Sequence, residues 1–472
     1  MANSWATLGV DLHLEPAGSG GLRRGLTDAL RDAVRTGRLV PGTRLPSSRT
    51  LAADLGIARN TVAEAYADLV AEGWLTARQG SGTRVAAGVP ATPHGRRGSA
   101  VGPAGTAPRR RAPGLPAHSL VPGAPDLAAF PRTEWLKAAR RALATAPFEA
   151  LGYGDPRGRP ELRTALAVYL ARARGVRTDP GTIMITAGFS HALRILGTVL
   201  RARGVRTVAV ESYGLDVHRQ LLRNAGLATP ALPYGELGTD TGALGDARAV
   251  LLTPAHQFPM GTPLHPDRRT AVVEWARRTG GLILEDDYDG EFRYDRLPVG
   301  ALQGLDPERV VYLGTASKSL APGLRLGWMV LPPSLVEEAA AAKGQIDTCG
   351  VLDQLTLAEF LTSGAYDRHV RSSRLRYRRR RDALAAAVAD RAPDVRVTGI
   401  AAGLHAVLRL PPGTEQSVIQ AATWQGLALH GLAFHRHPQA VTEPLDALVV
   451  GYGTPPDSAW AGALEALCRV LP

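Results

Sequence analysis

A segment without any regular apolar spacing divides the 472-residue chain into a short and a long part. Between residues 87 and 118, Pro, Gly, Ala and Arg dominate, and no hydrophobic period survives. Such a composition is typical of a flexible linker. The sequence therefore predicts a domain at residues 1–86, a linker at 87–118 and a second domain at 119–472, whose residues from about 365 to 472 form a smaller subdomain.

The second domain alternates short apolar runs with stretches of helical periodicity. We expect strands at residues 182–186, 207–211, 249–253, 281–286, 309–313 and 326–331, with helices at 190–203, 215–225 and 266–279. This alternation predicts an α/β fold built on a mostly parallel sheet. A long Arg-rich helix at residues 365–389, with short strands beyond it, predicts a small α+β C-terminal subdomain.

The first domain carries three helical patterns followed by a hairpin. Apolar residues at four-residue spacing share one face of the first helix, near residues 22–37, and Ser47 is a good N-cap for the second. The third helix covers about residues 58–72, and short strands are predicted at 74–77 and 83–85. Two short helices joined by a tight turn form a helix-turn-helix when the second one fits the major groove of DNA.

Basic and hydrogen-bonding residues cluster on this helix-turn-helix. The chain has a net charge of +12, and its basic excess is concentrated in the first quarter, as expected of a domain that meets a phosphate backbone. The residue types at the helix starts and at the hairpin tip reach base edges and phosphates. The candidates for DNA contacts are Arg44, Ser47, Ser48, Arg49, Arg59, Asn60, Thr61, Arg78, Gly80 and Ser81. From these residues alone, a protein-interaction domain is the alternative.

One continuous string in this domain is highly specific. It reads GRLVPGTRLPSSR at residues 37–49 and is followed by RNTV at 59–62, EGWL at 72–75 and GSGT at 80–83. With these motifs, residues 20–86 closely resemble the GntR family of winged-helix repressors. The resemblance implies that double-stranded operator DNA is a partner of this domain.

A lysine, a carboxylate and a phenol follow the ends of predicted strands in the long domain. Lys318 is one of three lysines against 52 arginines, so it draws attention as an amine rather than as a charge. Asp286 ends an apolar strand, and Tyr288 comes two residues later. At the carboxyl edge of a sheet, such side chains face a ligand crevice. Pyridoxal 5′-phosphate (PLP) chemistry needs this set: an amine that forms an imine, an acid beside the pyridine nitrogen and a donor to the ring oxygen.

Groups suited to a phosphate lie near the same strand ends. Thr315 and two serine hydroxyls surround Lys318, and Arg325 begins the next predicted strand. The segment at residues 186–190 joins a strand to a helix, and helix N-termini bind phosphates. From the residues alone, a solvated lysine, a carboxylate that caps a strand and a glycine in a tight turn are the alternatives.

Four further motifs extend over the rest of the chain. They read LGYGDP at residues 151–156, TPAHQFPMG at 253–261, EDDYDGEFRY at 285–294 and GTASKSL at 314–320. With them, residues 119–472 resemble the fold-type I aminotransferases, and the whole chain resembles the MocR family of transcription regulators. That resemblance implies a PLP-binding domain and a homodimer in which the DNA-binding heads are able to swap head-to-tail between subunits.

The same resemblance implies individual roles. Lys318 would form the imine with PLP, Asp286 would meet the pyridine nitrogen and Tyr288 the ring oxygen. The groups implied for the phosphate are Arg325, Thr315 and the amides of Gly188, Phe189 and Ser190. Gln257 would lie beside the ring, and Tyr153 would reach the phosphate bound in the partner subunit.

The sequence departs from the family pattern at two places. Leu215 stands where an aromatic residue usually stacks on the cofactor ring, which leaves Tyr213 or His218 as its substitute. The last strand has Val449 and no arginine to grip a substrate carboxylate, and Arg436 is a candidate replacement from a loop. A carboxylate left unpaired would cost on the order of a few kcal/mol. This departure favours PLP itself as the signal, as in regulators of vitamin B6 synthesis.

The sequence thus predicts a regulator that binds operator DNA and responds to PLP or to PLP with a small amino compound. A working aminotransferase that carries a DNA-binding head is the alternative, and a structural or interaction protein is a third interpretation. No apolar run is long enough to span a membrane, and the N-terminus lacks a secretory pattern. Cys349 and Cys468 lie far apart without a CxxC pair, which argues against zinc and disulfides. We therefore expect no metal, no membrane partner and a cytoplasmic location.

Overall fold

The computed structural model describes residues 21–78, 82–87, 116–294 and 299–472. The chain forms two compact units, Met1–Arg110 and Arg111–Pro472. Most of the predicted linker lies outside the described residues, so the predicted domain limits stay predictions.

The N-terminal unit consists of three helices and a two-stranded antiparallel sheet. Its elements are helices α1 (Leu22–Arg35), α2 (Ser48–Leu55) and α3 (Arg59–Ala71) and strands β1 (Leu75–Arg78) and β2 (Gly82–Val85). The hydroxyl of Ser47 accepts a hydrogen bond from the Thr50 amide at 3.1 Å, which caps α2 as its sequence predicts. Leu26 and Leu30 of α1 pack with Val62 of α3 in one core.

The remaining strands belong to the C-terminal unit. They are β3 (His118–Ser119), β4 (Ile183–Thr186), β5 (Val208–Glu211), β6 (Ala231–Leu232), β7 (Tyr234–Gly235), β8 (Gly238–Thr239), β9 (Ala249–Leu252), β10 (Leu282–Asp286), β11 (Val310–Thr315), β12 (Gly327–Val330), β13 (Arg396–Thr398), β14 (Ala406–Arg409), β15 (Leu427–Ala428), β16 (His430–Gly431) and β17 (Ala447–Val450). Each of the six strands predicted between residues 182 and 331 is present, with limits that differ by one or two residues.

The helices of this unit surround those strands. They are α4 (Arg132–Thr145), α5 (Pro160–Arg174), α6 (Phe189–Ala202), α7 (Asp216–Asn224), α8 (Pro266–Thr279), α9 (Val336–Lys343), α10 (Val351–Thr362), α11 (Ala365–Arg391), α12 (Glu415–Trp424) and α13 (Asp457–Cys468). The predictions found α6, α7, α8 and α11 but omitted the others. Among the described residues, no helix is both long and apolar enough to cross a membrane.

A seven-stranded sheet in the order β4-β12-β11-β10-β9-β5-β6 forms the centre of the C-terminal unit. All neighbouring strands are parallel except β12, which runs antiparallel to β11 and to β4. The prediction of a mostly parallel sheet is confirmed. Because side chains alternate along a strand, Ile183 and Ile185 pack into the core on one face while Met184 packs into the core on the other.

A smaller antiparallel sheet, in the order β13-β14-β17-β16, forms the C-terminal subdomain with α11, α12 and α13. Its apolar side chains build a separate core in which Leu408 and Leu448 are fully buried. The predicted α+β subdomain is therefore present. Val449 occupies the position in the last strand where amino-acid-binding relatives have a carboxylate-binding arginine. It lies on β17 and is also fully buried.

Candidate cofactor pocket and nucleic-acid interface

A cavity of about 340 Å³ lies at the carboxyl edge of the large sheet. Glu211, Asp286 and Thr315, which end β5, β10 and β11, contribute to its lining. The predicted cofactor-binding residues in the lining are Phe189, Ser190, Asp286, Tyr288, Thr315, Lys318 and Arg325. The sheet thus gathers at one place most of the side chains that the sequence singled out.

The direction of β12 explains why Arg325 belongs to this group. Gly327, the first residue of β12, pairs with Thr186 at the end of β4 and with Thr315 at the end of β11. The amino end of β12 therefore lies at the carboxyl edge of its neighbours. Arg325 has a φ of 52°, and it is the one non-glycine residue with positive φ in the described ranges. Backbone strain of this kind costs about 1–2 kcal/mol and concentrates at functional sites.

The start of α6 and Arg325 form a corner of the cavity that is suited to an anion, which we call the anion-binding corner. Gly188, with φ 83° and ψ 175°, precedes the helix, and Phe189 and Ser190 begin its first turn. The Arg325 guanidinium donates to the Ala187 carbonyl at 2.5 Å. It lies so close to Gly188 that a Cβ there would come within 3.1 Å of Nη2. Free amides at a helix start and a guanidinium beside them attract a phosphate.

Two hydroxyls extend this corner toward the lysine. Thr315 Oγ1 donates to Ser317 Oγ at 2.8 Å, and the Ser317 amide donates to Thr315 Oγ1 at 3.1 Å. Both residues line the cavity together with Arg325 and Lys318. The corner therefore offers hydroxyl groups as well as positive charge.

The charges of Lys318 and Asp286 interact within the cavity. Burial lowers the pKa of the Lys318 ammonium, and the carboxylates of Asp286 and Asp289 oppose that change. Burial also raises the pKa of Asp286 well above its usual range, and the charge of Lys318 opposes the rise. The Lys318 amine donates to the Gly123 carbonyl at 2.5 Å. This amine is therefore closer to its neutral, nucleophilic form than a surface lysine is.

Tyr288 belongs to a buried cluster that the predictions did not contain. Its hydroxyl donates to the His256 carbonyl at 3.0 Å and lies 3.1 Å from His256 Nδ1. His256 Nδ1 is also 2.8 Å from a carboxylate oxygen of Asp289. These two residues and His405 have metal-ligating atoms within 4.8 Å of one another. His256 and Asp289 occur in motifs that carried the family resemblance, but only the fold brings His405 to them.

Three predicted residues, Gly188, Gln257 and Tyr153, are not among the residues that line the cavity. The Gln257 side chain donates to the Tyr213 carbonyl on the loop after β5 at 3.1 Å and to the Phe258 carbonyl at 2.9 Å, so it joins its own turn to that loop. That Gln257 lies beside the cofactor ring stays a prediction. Tyr153 is 91% exposed and lies outside the lining of its own chain, and its predicted contact in a partner subunit stays a prediction.

The cavity is lined by Leu215, which stands at the position where the family usually has an aromatic residue. It is also lined by Tyr213 and His218, the two candidate substitutes for that aromatic ring. Tyr213 is 1% exposed and belongs to a hydrophobic core. The His218 ring lies 4.4 Å from the ring of Phe189. Its pKa is lowered to about 3 by burial and by nearby positive charge, including that of Lys318. Which of Tyr213 and His218 packs on the cofactor ring stays a prediction.

Further lining residues come from parts of the chain that the predictions passed over. They include Arg219 on α7, His430 on β16, and His435 just beyond it. No local sequence pattern marks them as a group, because they meet only when the small subdomain packs beside α7.

In the N-terminal unit, the arginines divide into paired and unpaired ones. Arg23 and Arg31 of α1 form ion pairs with acids of α3 and its C-cap, as in the 2.7 Å contact of Arg23 with Asp68. Among the described residues, no hydrogen bond or ion pair joins the side chain of Arg49 or Arg59 to another residue. The exposed members of the predicted DNA-binding set are Arg44, Ser47, Arg49, Arg59 and Asn60.

The rest of that set is less exposed or less fully described. Ser48 and Thr61 are half-buried in the first turns of α2 and α3. Only the backbone of Arg78 is described, at the end of β1, and Gly80 and Ser81 lie outside the described residues.

Models of two protein families match the chain. That of the aminotransferases of class I and II matches residues 123–435, and that of the bacterial regulatory proteins of the gntR family matches residues 22–85. The solved kynurenine aminotransferase of Pyrococcus horikoshii, in complex with PMP, has a TM-score of 0.66 and 26% identity over 75% of this chain and 90% of its own.

Two curated relatives match nearly the whole chain. The HTH-type pyridoxine biosynthesis transcriptional regulator PdxR of Corynebacterium glutamicum is 33% identical over 91% of both chains. The probable rhizopine catabolism regulatory protein MocR of Rhizobium meliloti is 33% identical over 89% of this chain and 88% of its own. The chain therefore belongs to the MocR and PdxR family of HTH-type transcriptional regulators, in which a GntR-type DNA-binding domain is joined to an aminotransferase-like domain.

Proposed function

We propose that this regulator binds PLP in the cavity of its C-terminal unit and operator DNA through α2, α3 and the β1–β2 hairpin. The observation that carries the proposal is that Lys318 and Asp286, from the ends of neighbouring strands, line one cavity with Arg325. When bound, PLP supplies an electron-withdrawing ring and an aldehyde that condenses with primary amines. Each part of the cofactor has a matching group in the cavity.

The anion-binding corner fits a phosphate. Arg325, Thr315 and the amides of Gly188, Phe189 and Ser190 are the groups that would hold it. The backbone segments pack this closely because two of the residues are glycines. A Cβ added at Gly327 would come within 2.9 Å of the Gly188 Cα, and a Cβ added at Gly188 would meet the Arg325 guanidinium.

Asp286 and Tyr288 fit the two polar edges of a pyridine ring. A carboxyl whose pKa is raised by burial holds a proton readily, and Asp286 would share it with the ring nitrogen. The Tyr288 hydroxyl would lie at the ring oxygen, held in place by His256. His218 would pack against the ring face in place of the aromatic residue that Leu215 replaces.

Lys318 is suited to bind the cofactor covalently. Its lowered pKa raises the fraction of neutral amine near neutral pH, which is the form that attacks a carbonyl. Its contact with the Gly123 carbonyl orients the amine before the cofactor arrives.

The unpaired arginines support the assignment of the DNA-binding surface. Arg49 and Arg59 lie in the first turns of α2 and α3, where helix starts also favour phosphate. Since no acid among the described residues neutralises them, they remain available to a phosphate backbone or a base edge. We expect the protein to act in the cytoplasm, where operator DNA lies.

We infer a homodimer from exposed apolar side chains. Phe148 and Tyr153 are 93% and 91% exposed, and Leu151 between them is 57% exposed. Large apolar side chains that are this exposed within one short segment favour a protein interface. Tyr153 would then reach the cofactor phosphate in the partner subunit, and the DNA-binding heads would be able to swap head-to-tail.

PLP, alone or with a small amino compound, would act as the signal. A ligand shifts the arrangement of the heads only if it binds one arrangement better than another. The similarity to PdxR of Corynebacterium glutamicum, which is named for pyridoxine biosynthesis, suggests control of vitamin B6 or amino-compound metabolism.

The test combines spectroscopy with DNA binding. Protein mixed with PLP should gain a visible absorbance, and borohydride reduction should fix the cofactor on the peptide that carries Lys318. Because the chain has three lysines, peptide mapping separates Lys318 from Lys137 and Lys343. Operator affinity measured with and without PLP then tests the regulatory response. Absence of fixed cofactor on Lys318, or an operator affinity indifferent to PLP, contradicts the proposal.

The second candidate function is an active aminotransferase. The presence of both Lys318 and Asp286 favours it, because the amine and the acid are also what transamination requires. Steady-state conversion of an amino acid and a keto acid, lost in Lys318→Ala, would establish it. Absence of turnover in PLP-loaded protein leaves the regulator without an enzymatic role.

A further inference from the structure

Arg219 on α7 is a buried guanidinium in the wall of the cavity. The residue is 4% exposed. Its Nε donates to Asp216 at 3.2 Å, and its Nη1 donates to the Gly214 carbonyl at a long 3.5 Å. Among the described residues, no hydrogen-bond partner meets its Nη2. Arg219 therefore keeps a donor for a ligand.

The charge of Arg219 is only partly neutralised. Asp216 also lies 3.5 Å from Arg223 and accepts a hydrogen bond from Gln220, so one carboxylate serves two guanidinium groups. Asp216 is half exposed, which weakens its attraction further. An incompletely paired cation in a low-dielectric wall favours an anion beside it.

Two histidines in the same lining have ring nitrogens without partners. His435 is 1% exposed, and both of its ring nitrogens are buried without a hydrogen bond. Nδ1 of His430 is also buried and has no hydrogen-bond partner among the described residues. The ring of His435 packs against Phe258 and Phe434, each at 5.1 Å. A neutral imidazole carries an N–H that donates to an anion without adding charge, so these rings complement Arg219.

Two positions in the sequence, 449 and 436, were considered for a carboxylate-binding arginine. Neither provides one. Val449 is fully buried in β17. Nη2 of Arg436 donates to the carbonyls of Ala440 at 2.8 Å and Thr442 at 2.7 Å, so its guanidinium holds a loop. Neither position therefore places an arginine in the lining of the cavity.

We propose that Arg219, His435 and His430 form a subsite for the carboxylate of a small amino acid whose amine faces Lys318. This inference rests on the proposed function, because the amine is placed toward the PLP-binding lysine. Lys318, His218 and Arg219 line the same cavity of about 340 Å³, so one small ligand is able to reach both cations. The amino compound that the regulator senses is therefore an amino acid and not a simple amine.

The test is calorimetric titration of PLP-loaded protein. The probes are glycine, β-alanine and 5-aminovalerate, which hold the carboxylate at increasing distances from the amine. Propylamine has the amine of β-alanine without the acid, and propionate has the acid without the amine. We expect one of the amino acids to bind more tightly than either propylamine or propionate.

Arg219→Gln should weaken binding of that amino acid about tenfold or more and leave propylamine unchanged, since a buried charge pair is lost. Arg206→Gln is the control, because it removes an exposed arginine outside the lining without touching Asp216, and it should change neither affinity. His435→Phe keeps the aromatic packing and should also weaken binding of the amino acid. This variant tests the subsite if Arg219→Gln does not fold.

Unchanged amino-acid affinity in folded Arg219→Gln or His435→Phe overturns the subsite, and so does a wild-type protein that prefers propylamine or propionate. Visible absorbance is recorded before any titration. A wild type that takes up no PLP overturns the proposed function itself, whereas a yellow protein without Arg219-dependent binding overturns the subsite alone.

Discussion

The guanidinium of Arg325 lies against the backbone of Gly188, at the point where α6 begins. A Cβ at position 188 would approach Arg325 Nη2 to 3.1 Å, and Gly188 has φ 83° with ψ 175°, a conformation almost confined to glycine. The contact joins a loop before β12 to the loop after β4. It makes the proposed phosphate corner dependent on a residue that has no side chain.

Gly188→Ala should therefore weaken PLP binding and destabilise the fold by about 1–3 kcal/mol. Gly204→Ala is the control, since Gly204 also has positive φ but no atom within 4 Å of an added Cβ. Urea unfolding should detect backbone strain in both variants, whereas PLP titration should change only for Gly188→Ala. Equal PLP affinity in the two variants would show that the anion-binding corner does not bind the cofactor.

His218 should contribute through its ring rather than its charge, because its pKa of about 3 keeps it neutral. His218→Ala is expected to reduce PLP affinity by about 0.5–1.5 kcal/mol, the usual worth of an aromatic contact. His218→Phe should retain most of the affinity. Fluorescence titration with PLP compares the three proteins, and wild-type affinity in His218→Ala would return the stacking role to Tyr213.

Arg59→Ala should weaken specific operator binding by about 1–3 kcal/mol if Arg59 reads a base edge. Arg35→Ala removes the same charge from α1, where Arg35 is already paired with Asp32 at 3.0 Å, so it should have little effect. Binding is measured at several salt concentrations, and affinity should fall steeply with salt in the wild type. A flat salt response, or equal losses in the two variants, contradicts the assignment of the interface.

His435 should make the protein sensitive to acid. Burial, followed by the positive charges of His430 and Arg219, lowers the pKa of His435 from 6.5 to about 3. Between these values the unfolded chain binds more protons than the folded one. The stability that depends on neutral His435 is therefore complete above pH 6.5 and is lost as the pH falls toward 3.

The free energy of unfolding of His435→Phe should fall less steeply across this window than that of the wild type. Glu211, whose pKa burial raises to about 7, acts in the opposite direction. For this reason the measured quantity is the difference between the two proteins at each pH, obtained from urea unfolding. Parallel curves would mean that His435 is not held neutral in the folded protein.

The sequence by itself determined the elements whose signals are local. The cap at Ser47, the strand that ends at Asp286 and the position of Lys318 just after β11 follow from residue types and periodicity over short windows. Because parallel strands end at one edge of a sheet, their order along the chain was enough to predict that Asp286 and Lys318 face one crevice.

Only the tertiary structure decided what depends on strand direction and on contacts between distant segments. β12 runs antiparallel, and this reversal brings Arg325 to Gly188. Arg219 and His435 meet because the small subdomain packs beside α7. Gln257 donates to the Tyr213 carbonyl, which belongs to a distant segment of the chain. Pairing direction and packing partners are set by the burial of whole faces, and no short window of sequence records them.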